Sequence, residues 1–303
     1  MKVQYISKEG NFEFCGPFTV EHKLPSGVYK IDLDRLDEIY LRTLKIETET
    51  LIELPNSPTS YVMHKIYNFL TDSIRKAFDR YGILYKRGIL LYGPPGTGKT
   101  SVVNQIINLA VKKDMIIFYN APPDWIRQAA EFVREIEKDN RQIMVIWEEF
   151  ESWIDNREDD ILSLLDGISQ INNIVYLATT NYIDKIPERI RNRPSRFADV
   201  VEVGYPNGAT RKKFFESKIR KEDKVNIAKW VEETEGLSID HLKDLIISVL
   251  VLGISFEDAI EKMRNLPYDT NDKRNDRKSN YIDVRPRAEM DACSPPKVNK
   301  LNG

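Results

Sequence analysis

The chain is poor in the residues that build redox and soft-metal sites. Its two cysteines, Cys15 and Cys293, lie near opposite ends and form no motif, which argues against a disulfide framework and for two reduced thiols. The three histidines, His22, His64 and His241, show no paired spacing, and H-E-x-x-H is absent. Neither a zinc site nor a fused metalloprotease is therefore expected. No sign of charge prevails, since 45 Lys and Arg face 47 Asp and Glu for a formal net charge of -2. That balance gives no global attraction to nucleic acid. Long apolar runs are missing too. The longest nearly apolar stretch, Leu245 to Ile254, is too short for a bilayer, which needs roughly 20 residues. The opening "MKVQYISKEG" has no apolar core of the signal-peptide kind. These absences predict a cytoplasmic protein with no membrane segment.

What is present is a globular balance, 41% hydrophobic and 30% charged over 303 residues, enough for a core-bearing domain plus a smaller one. Residues 1–45 read as β-rich. "FTVEHKL" alternates, with Phe18, Val20 and Leu24 on one face; Pro25-Ser26-Gly27 signals a turn; "VYKIDL" places Tyr29, Ile31 and Leu33 together, which predicts a hairpin. "LIELPNSP" marks a boundary, followed by a helical stretch and then strands alternating with helices. The strand candidates are Gly88–Tyr92, Met115–Tyr119, Ile143–Trp147, Ile174–Ala178 and Val200–Val203. Strands spaced by helices predict an α/β fold over 46–206, a three-layer sandwich on a parallel five-stranded sheet. After "GYPNG" only helical patterns remain, near 209–221, 224–235, 239–252 and 256–265. Ser238 and Ser255 are the expected N-caps of the last two, and Asp258 follows Ser255 by three residues. This predicts a small helical domain over 207–267. Residues 268–303 are polar, mixed in charge and Pro-containing, and read as a disordered tail.

The strongest chemical signal is "GPPGTGKT". It follows the apolar strand "GILLY" and opens the helix "TSVVNQIINLAV", the context that a phosphate loop requires. Gly93, Pro94, Pro95, Gly96, Thr97, Gly98, Lys99, Thr100 and Ser101 are thus candidate nucleotide-binding residues. Glycines let backbone N–H groups converge on phosphate oxygens, and the helix N-terminus adds its positive end. Lys99 is placed to reach the β- and γ-phosphates, and the Thr100 hydroxyl to ligate magnesium. The second signal is "VIWEEF". Four apolar residues, Met144 to Trp147, run into Glu148 and Glu149, at the sheet edge where ligands of parallel sheets bind. Because side chains alternate along a strand, Glu148 is expected to face the metal and Glu149 the attacking water.

With these motifs the sequence resembles the AAA+ ATPases, and more closely the AAA group of ring-shaped protein remodelers and unfoldases. "YKRGILLYGPPGTGKT" is very like that group's entry to the phosphate loop, and the resemblance covers roughly residues 50–265. It implies ATP and Mg2+ as cofactors, ATP hydrolysis, a homo-oligomeric hexameric ring and a protein substrate or adaptor, with nucleic acid not expected as partner. "IVYLATTN" resembles the strand that ends in the sensor-1 residue, which matches Asn181. "IPERIRNRPSRFADVVEV" resembles the region of the arginine fingers. Arg193 and Arg196 match those positions and would act on the nucleotide of a neighbouring subunit. Ser195 and Ala198 depart from the family's Gly and Asp there. "EGLSIDHLKDL" resembles the lid helix, without a sensor-2 Arg, as in the AAA group proper. By position Ile239 and Asp240 would lie near base and ribose, and Ile52 to Leu54 near adenine. The pore loop of ring unfoldases, aromatic–hydrophobic–Gly, is replaced by Ala121-Pro122-Pro123-Asp124-Trp125-Ile126. Trp125 and Ile126 are expected either to grip a polypeptide or to pack a helix. A nucleic-acid loader on the same fold and a nucleotide-gated scaffold with little turnover are the competing readings.

Overall fold

The computed structural model describes residues 4–8, 11–15, 23–46, 58–137, 140–155, 157–167 and 170–264. It contains one nine-stranded sheet. In chain order the strands are β1 (Gln4–Lys8), β2 (Asn11–Cys15), β3 (Gly27–Leu33), β4 (Ile39–Thr43), β5 (Lys86–Tyr92), β6 (Ile116–Tyr119), β7 (Ile143–Trp147), β8 (Ile174–Thr180) and β9 (Asp199–Glu202). Their spatial order is β1-β2-β4-β3-β6-β7-β8-β5-β9. Every pair from β3 to β9 across the sheet is parallel, whereas β1, β2, β4 and β3 pair antiparallel.

The helices of the sheet region are α1 (Pro58–Phe69), α2 (Asp72–Arg80), α3 (Lys99–Lys112), α4 (Pro123–Ile136), α5 (Glu151–Ile154), α6 (Glu158–Asp166) and α7 (Glu188–Arg191). Strand alternation explains the layers. In β7, Ile143, Val145 and Trp147 enter one core with α4, α5, α6 and α7, while Met144 and Ile146 enter the other with α1 and α3. β8 divides likewise, with Tyr176 and Ala178 on the first face and Val175 and Leu177 on the second. Strands buried on both faces read as continuous apolar runs, and helices cover both sides. The result is an α/β three-layer sandwich.

Two expectations about the N-terminal region change. It is no separate layer: β3 pairs with β6 and carries the sheet on through β4, β2 and β1, so the sheet exceeds the five strands expected. The hairpin partner of β3 is β4, not "FTVEHKL". Asp34 closes the turn between them, its Oδ1 accepting from the N–H of Leu36 at 2.7 Å and of Glu38 at 2.9 Å. Residues 18–22 lie outside the described residues, and Leu24 makes its backbone bonds to side chains. Its N–H donates to Glu137 Oε1 at 2.9 Å and its carbonyl accepts from Arg141 Nη2 at 2.6 Å. Both of its backbone groups are consumed by side chains from the stretch between α4 and β7. Leu33, expected inside with Tyr29 and Ile31, is exposed.

After the sheet come α8 (Gly208–Lys218), α9 (Ile227–Glu233), α10 (Ile239–Ile246), which continues as a π-helical segment over Ile247–Val251, and α11 (Phe256–Arg264). Ser238 caps α10 by accepting from His241 N, and Ser255 Oγ accepts from Asp258 N at 3.1 Å. Aromatic side chains fill the space between helices, with Trp230 against Phe215 at 5.4 Å and against Phe256 at 5.2 Å. The chain divides into two compact units, Met1–Ile260 and Glu261–Gly303. The second is described only at 261–264, so the expected tail lies outside the described residues. Among the described residues no helix is long and apolar enough to cross a membrane.

Candidate functional site

The sheet order brings the candidate residues to one edge. β8 lies between β7 and β5, with Trp147 opposite Ala178 and Thr180 opposite Tyr92. The segments that leave these three strands therefore start side by side. Gly93 N donates to Thr180 O at 3.3 Å and Phe150 N to Thr179 O at 2.8 Å, which ties both loops to the β8 end.

The loop from β5 to α3 needs its glycines. A Cβ at Gly93 would meet Val203 O at 2.2 Å, and Gly98, just before α3, has φ of +100°. Only glycine takes both conditions without strain. Thr97 Oγ1 donates to Pro94 O at 2.9 Å and closes the loop. Lys99 is 8% exposed, and its Nζ donates to the carbonyls of Gly93 at 2.9 Å and Pro94 at 2.8 Å. Burial pulls its pKa down to about 8, against the attraction of Glu151 and then Asp240. Thr100 is exposed in the first turn of α3 and Ser101 is half-buried.

β7 stops at Trp147, so Glu148 and Glu149 do not alternate as strand residues. Glu148 N donates to Asn120 Oδ1 at 2.8 Å, and its carboxylate accepts the hydroxyl of Tyr119. Burial, and then the hydrogen bond to Glu148, raise the Tyr119 pKa. Glu149 has φ of +51° and is exposed, and its carbonyl accepts from Ser152 N at 2.8 Å. This left-handed residue turns the chain back and separates the two acids. The same turn brings in Glu151, which sequence reasoning missed: its Oε1 accepts from Asn181 N at 3.4 Å. The available signal was an acid two places after the Glu-Glu pair, in "EEFE".

The helices after the sheet contribute the head of α10. Asp240 N donates to Gly96 O at 3.2 Å, and Ile239 is buried, with its Cγ1 3.9 Å from where a Gly98 Cβ would stand. Ile52 to Leu54 lie outside the described residues. The two finger candidates differ. Arg193 is exposed; Arg196 is 9% exposed, with Nη1 donating to Arg189 O and Nε 3.8 Å from Asp166 Oδ2. Ile126 is fully buried and Trp125 packs on the same core, so this pair packs α4.

The parts fit a magnesium–nucleotide complex. The loop carries a buried ammonium, and the charges of Glu151 and Asp240 act on it. Among the described residues no group of three His, Cys, Asp or Glu can hold a metal by itself. Magnesium typically keeps waters and takes only one or two carboxylates beside substrate phosphates, so such a group is not needed to hold it.

Comparison with known proteins agrees. Residues 89–205 match the family described as "ATPase family associated with various cellular activities (AAA)". The chain is 29% identical over 181 residues to the Cell division cycle protein 48 homolog of Archaeoglobus fulgidus, covering 52% of this chain and 24% of that one. To the vesicular-fusion protein SEC18 of Saccharomyces cerevisiae it is 28% identical over 211 residues, 58% of this chain and 28% of that one. To the proteasome-activating nucleotidase of Saccharolobus solfataricus it is 26% identical over 201 residues, 58% of this chain and 50% of that one. The matched part thus spans between a quarter and a half of these relatives.

Proposed function

From the match of residues 89–205 to the AAA ATPase family we propose that the chain binds ATP with magnesium, hydrolyses it, and works as a ring oligomer that remodels a protein partner. The observation that carries the reading is Lys99, a buried ammonium held by loop carbonyls at the head of α3, on which the charges of Glu151 and Asp240 act.

In this reading the N–H groups of residues 96–101 hold the phosphates and Lys99 moves from the carbonyls of Gly93 and Pro94 onto the β- and γ-phosphates. Thr100 and Glu148 would hold a magnesium ion, which would offset the negative charge of the phosphates. Tyr119 fixes one side of the Glu148 carboxylate and leaves the other for the metal or one of its waters. Glu149 polarises the attacking water, Asn181 orients it, and Arg193 reaches the γ-phosphate of a neighbouring subunit. Arg196 instead holds the end of α7 in its own chain. Ile239 packs toward the nucleoside from the lid. That the relatives' names include vesicular fusion and proteasome activation supports a protein as the object of the work.

The test separates the two adjacent acids. Glu149→Gln should bind ATP with magnesium yet turn over about 10² to 10⁴ times more slowly, the usual weight of a positioned base. Glu148→Ala should lose the magnesium dependence of ATP affinity, and Glu148→Asp should keep it. Native turnover in Glu149→Gln, or unchanged magnesium dependence in Glu148→Ala, contradicts this assignment.

A further inference from the structure

Glu151 occupies a position that the assignment above leaves unused. It opens α5, directly after the turn at Glu149, and its Oε1 takes the N–H of Asn181 at 3.4 Å. Its other oxygen, Oε2, is fully buried and has no hydrogen-bond partner. A buried acceptor without a donor is unusual and calls for a bound group that supplies one. The surroundings say where that group sits. Glu151 is the acid whose charge acts most on the Lys99 ammonium, and it touches the backbone of the residue that leaves β8 beside the phosphate loop. In the nucleotide-free chain Lys99 is the nearby countercharge. Once Lys99 turns to the phosphates, a bare carboxylate oxygen facing the γ-phosphate would be repelled by it. A water between them relieves that conflict, because it donates one hydrogen to this oxygen and turns a lone pair toward the γ-phosphorus.

We propose that Glu151 is a further catalytic residue of this site, whose buried Oε2 accepts a hydrogen bond from the water that attacks the γ-phosphate while Oε1 holds Asn181. This deepens the ATPase reading and rests on it. The water oxygen bonds to the γ-phosphorus, the bond from that phosphorus to the β–γ bridging oxygen breaks, and the electron pair leaves with ADP. The proton shed by the water goes to Glu149 and on to the released phosphate. Glu151 aligns the water and takes no net proton.

Glutamine at this position divides the two jobs of the carboxylate. One amide oxygen can still accept from Asn181 N, so the backbone clamp survives, but the amide nitrogen then faces the water and cannot accept. Glu151→Gln should therefore lower ATP turnover by about two orders of magnitude, with calorimetric ATP affinity and thermal midpoint near those of the native chain. Glu151→Asp, which retains both acceptors, should recover part of the rate. Glu151→Gln turning over at the native rate overturns the proposal and leaves only a backbone clamp. Lost ATP affinity in Glu151→Gln overturns it equally, since the residue would then serve binding. A native chain with no ATP turnover at all, measured alongside, would instead refute the ATPase reading itself.

Discussion

The charge on Lys99 is not fixed across the working pH range. Burial lowers its pKa from 10.5 to about 8 in the nucleotide-free chain. Phosphates beside the ammonium favour its charged form, so the bound pKa is the higher of the two. Binding must then take up a proton wherever free Lys99 is neutral and bound Lys99 is charged. Below about pH 7 the lysine is charged in both states and affinity is flat. As pH rises through about 8, affinity should weaken by up to about tenfold per pH unit. Calorimetry in buffers of different ionisation heat should find uptake approaching one proton per ATP near pH 9, and affinity constant from about pH 7 to 9 would contradict the linkage. The placement of Lys99 at the head of a helix and of Glu148 just past a buried strand was legible because both follow from local pattern, a glycine loop before a helix and an acid after four apolar residues. Glu151 was not. Reading acids by strand alternation assumes that the strand goes on, and here it ends at Trp147, with Glu149 at φ of +51° folding the next acid inward. Arg196 misled for a similar reason, since an arginine in a basic stretch does not declare that Asp166 and the Arg189 carbonyl will bury it.

Among elements, the parallel strands were readable because burial on both faces leaves uninterrupted apolar runs such as "IMVIW", and helices such as α10 and α11 because their caps are local. Strand partnership was less so, since it depends on groups far apart in sequence. The link between α4 and the entry to β3 is the clearest case. Glu137 and Arg141 are paired at 2.8 Å with side chains 4% and 5% exposed, and both bind the Leu24 backbone. Burial raises the Glu137 pKa, and Arg141 opposes that. Arg141→Ala should therefore cost about 3–5 kcal/mol in denaturant unfolding, because it strands a buried carboxylate. Replacing both partners, Glu137→Leu with Arg141→Met, should cost less than the single change, as no charge is left unpaired. A double variant less stable than Arg141→Ala would show that the backbone bonds to Leu24, rather than the ion pair, hold the two elements together.

Assembly is the property of the whole molecule that the sequence motifs point to without describing the interface. A site finished in trans needs a surface that meets a different surface of the next copy, a head-to-tail contact that closes into a ring when its rotation permits. Arg193 meets the first requirement: it is exposed, and its carbonyl, accepting from Arg196 N at 2.9 Å and Phe197 N at 3.2 Å, anchors the turn that displays it. If its guanidinium completes a neighbour's site, turnover per chain must rise with protein concentration as rings form, and no single chain can be fully active. A mixing experiment makes this decisive. Lys99→Ala chains bind no nucleotide but still offer Arg193, while Arg193→Ala chains bind ATP but offer no finger. Each alone should be nearly inactive, since removing such an arginine costs about 10³ to 10⁵ in rate in related nucleotide hydrolases. In an equal mixture roughly a quarter of neighbouring pairs join an intact Lys99 to an intact Arg193, if chains associate head to tail at random. Turnover should then return to a comparable fraction of the native rate. Were Arg193 to act within its own chain, no pairing of these two variants would contain a sound site, and the mixture would stay as inactive as its components.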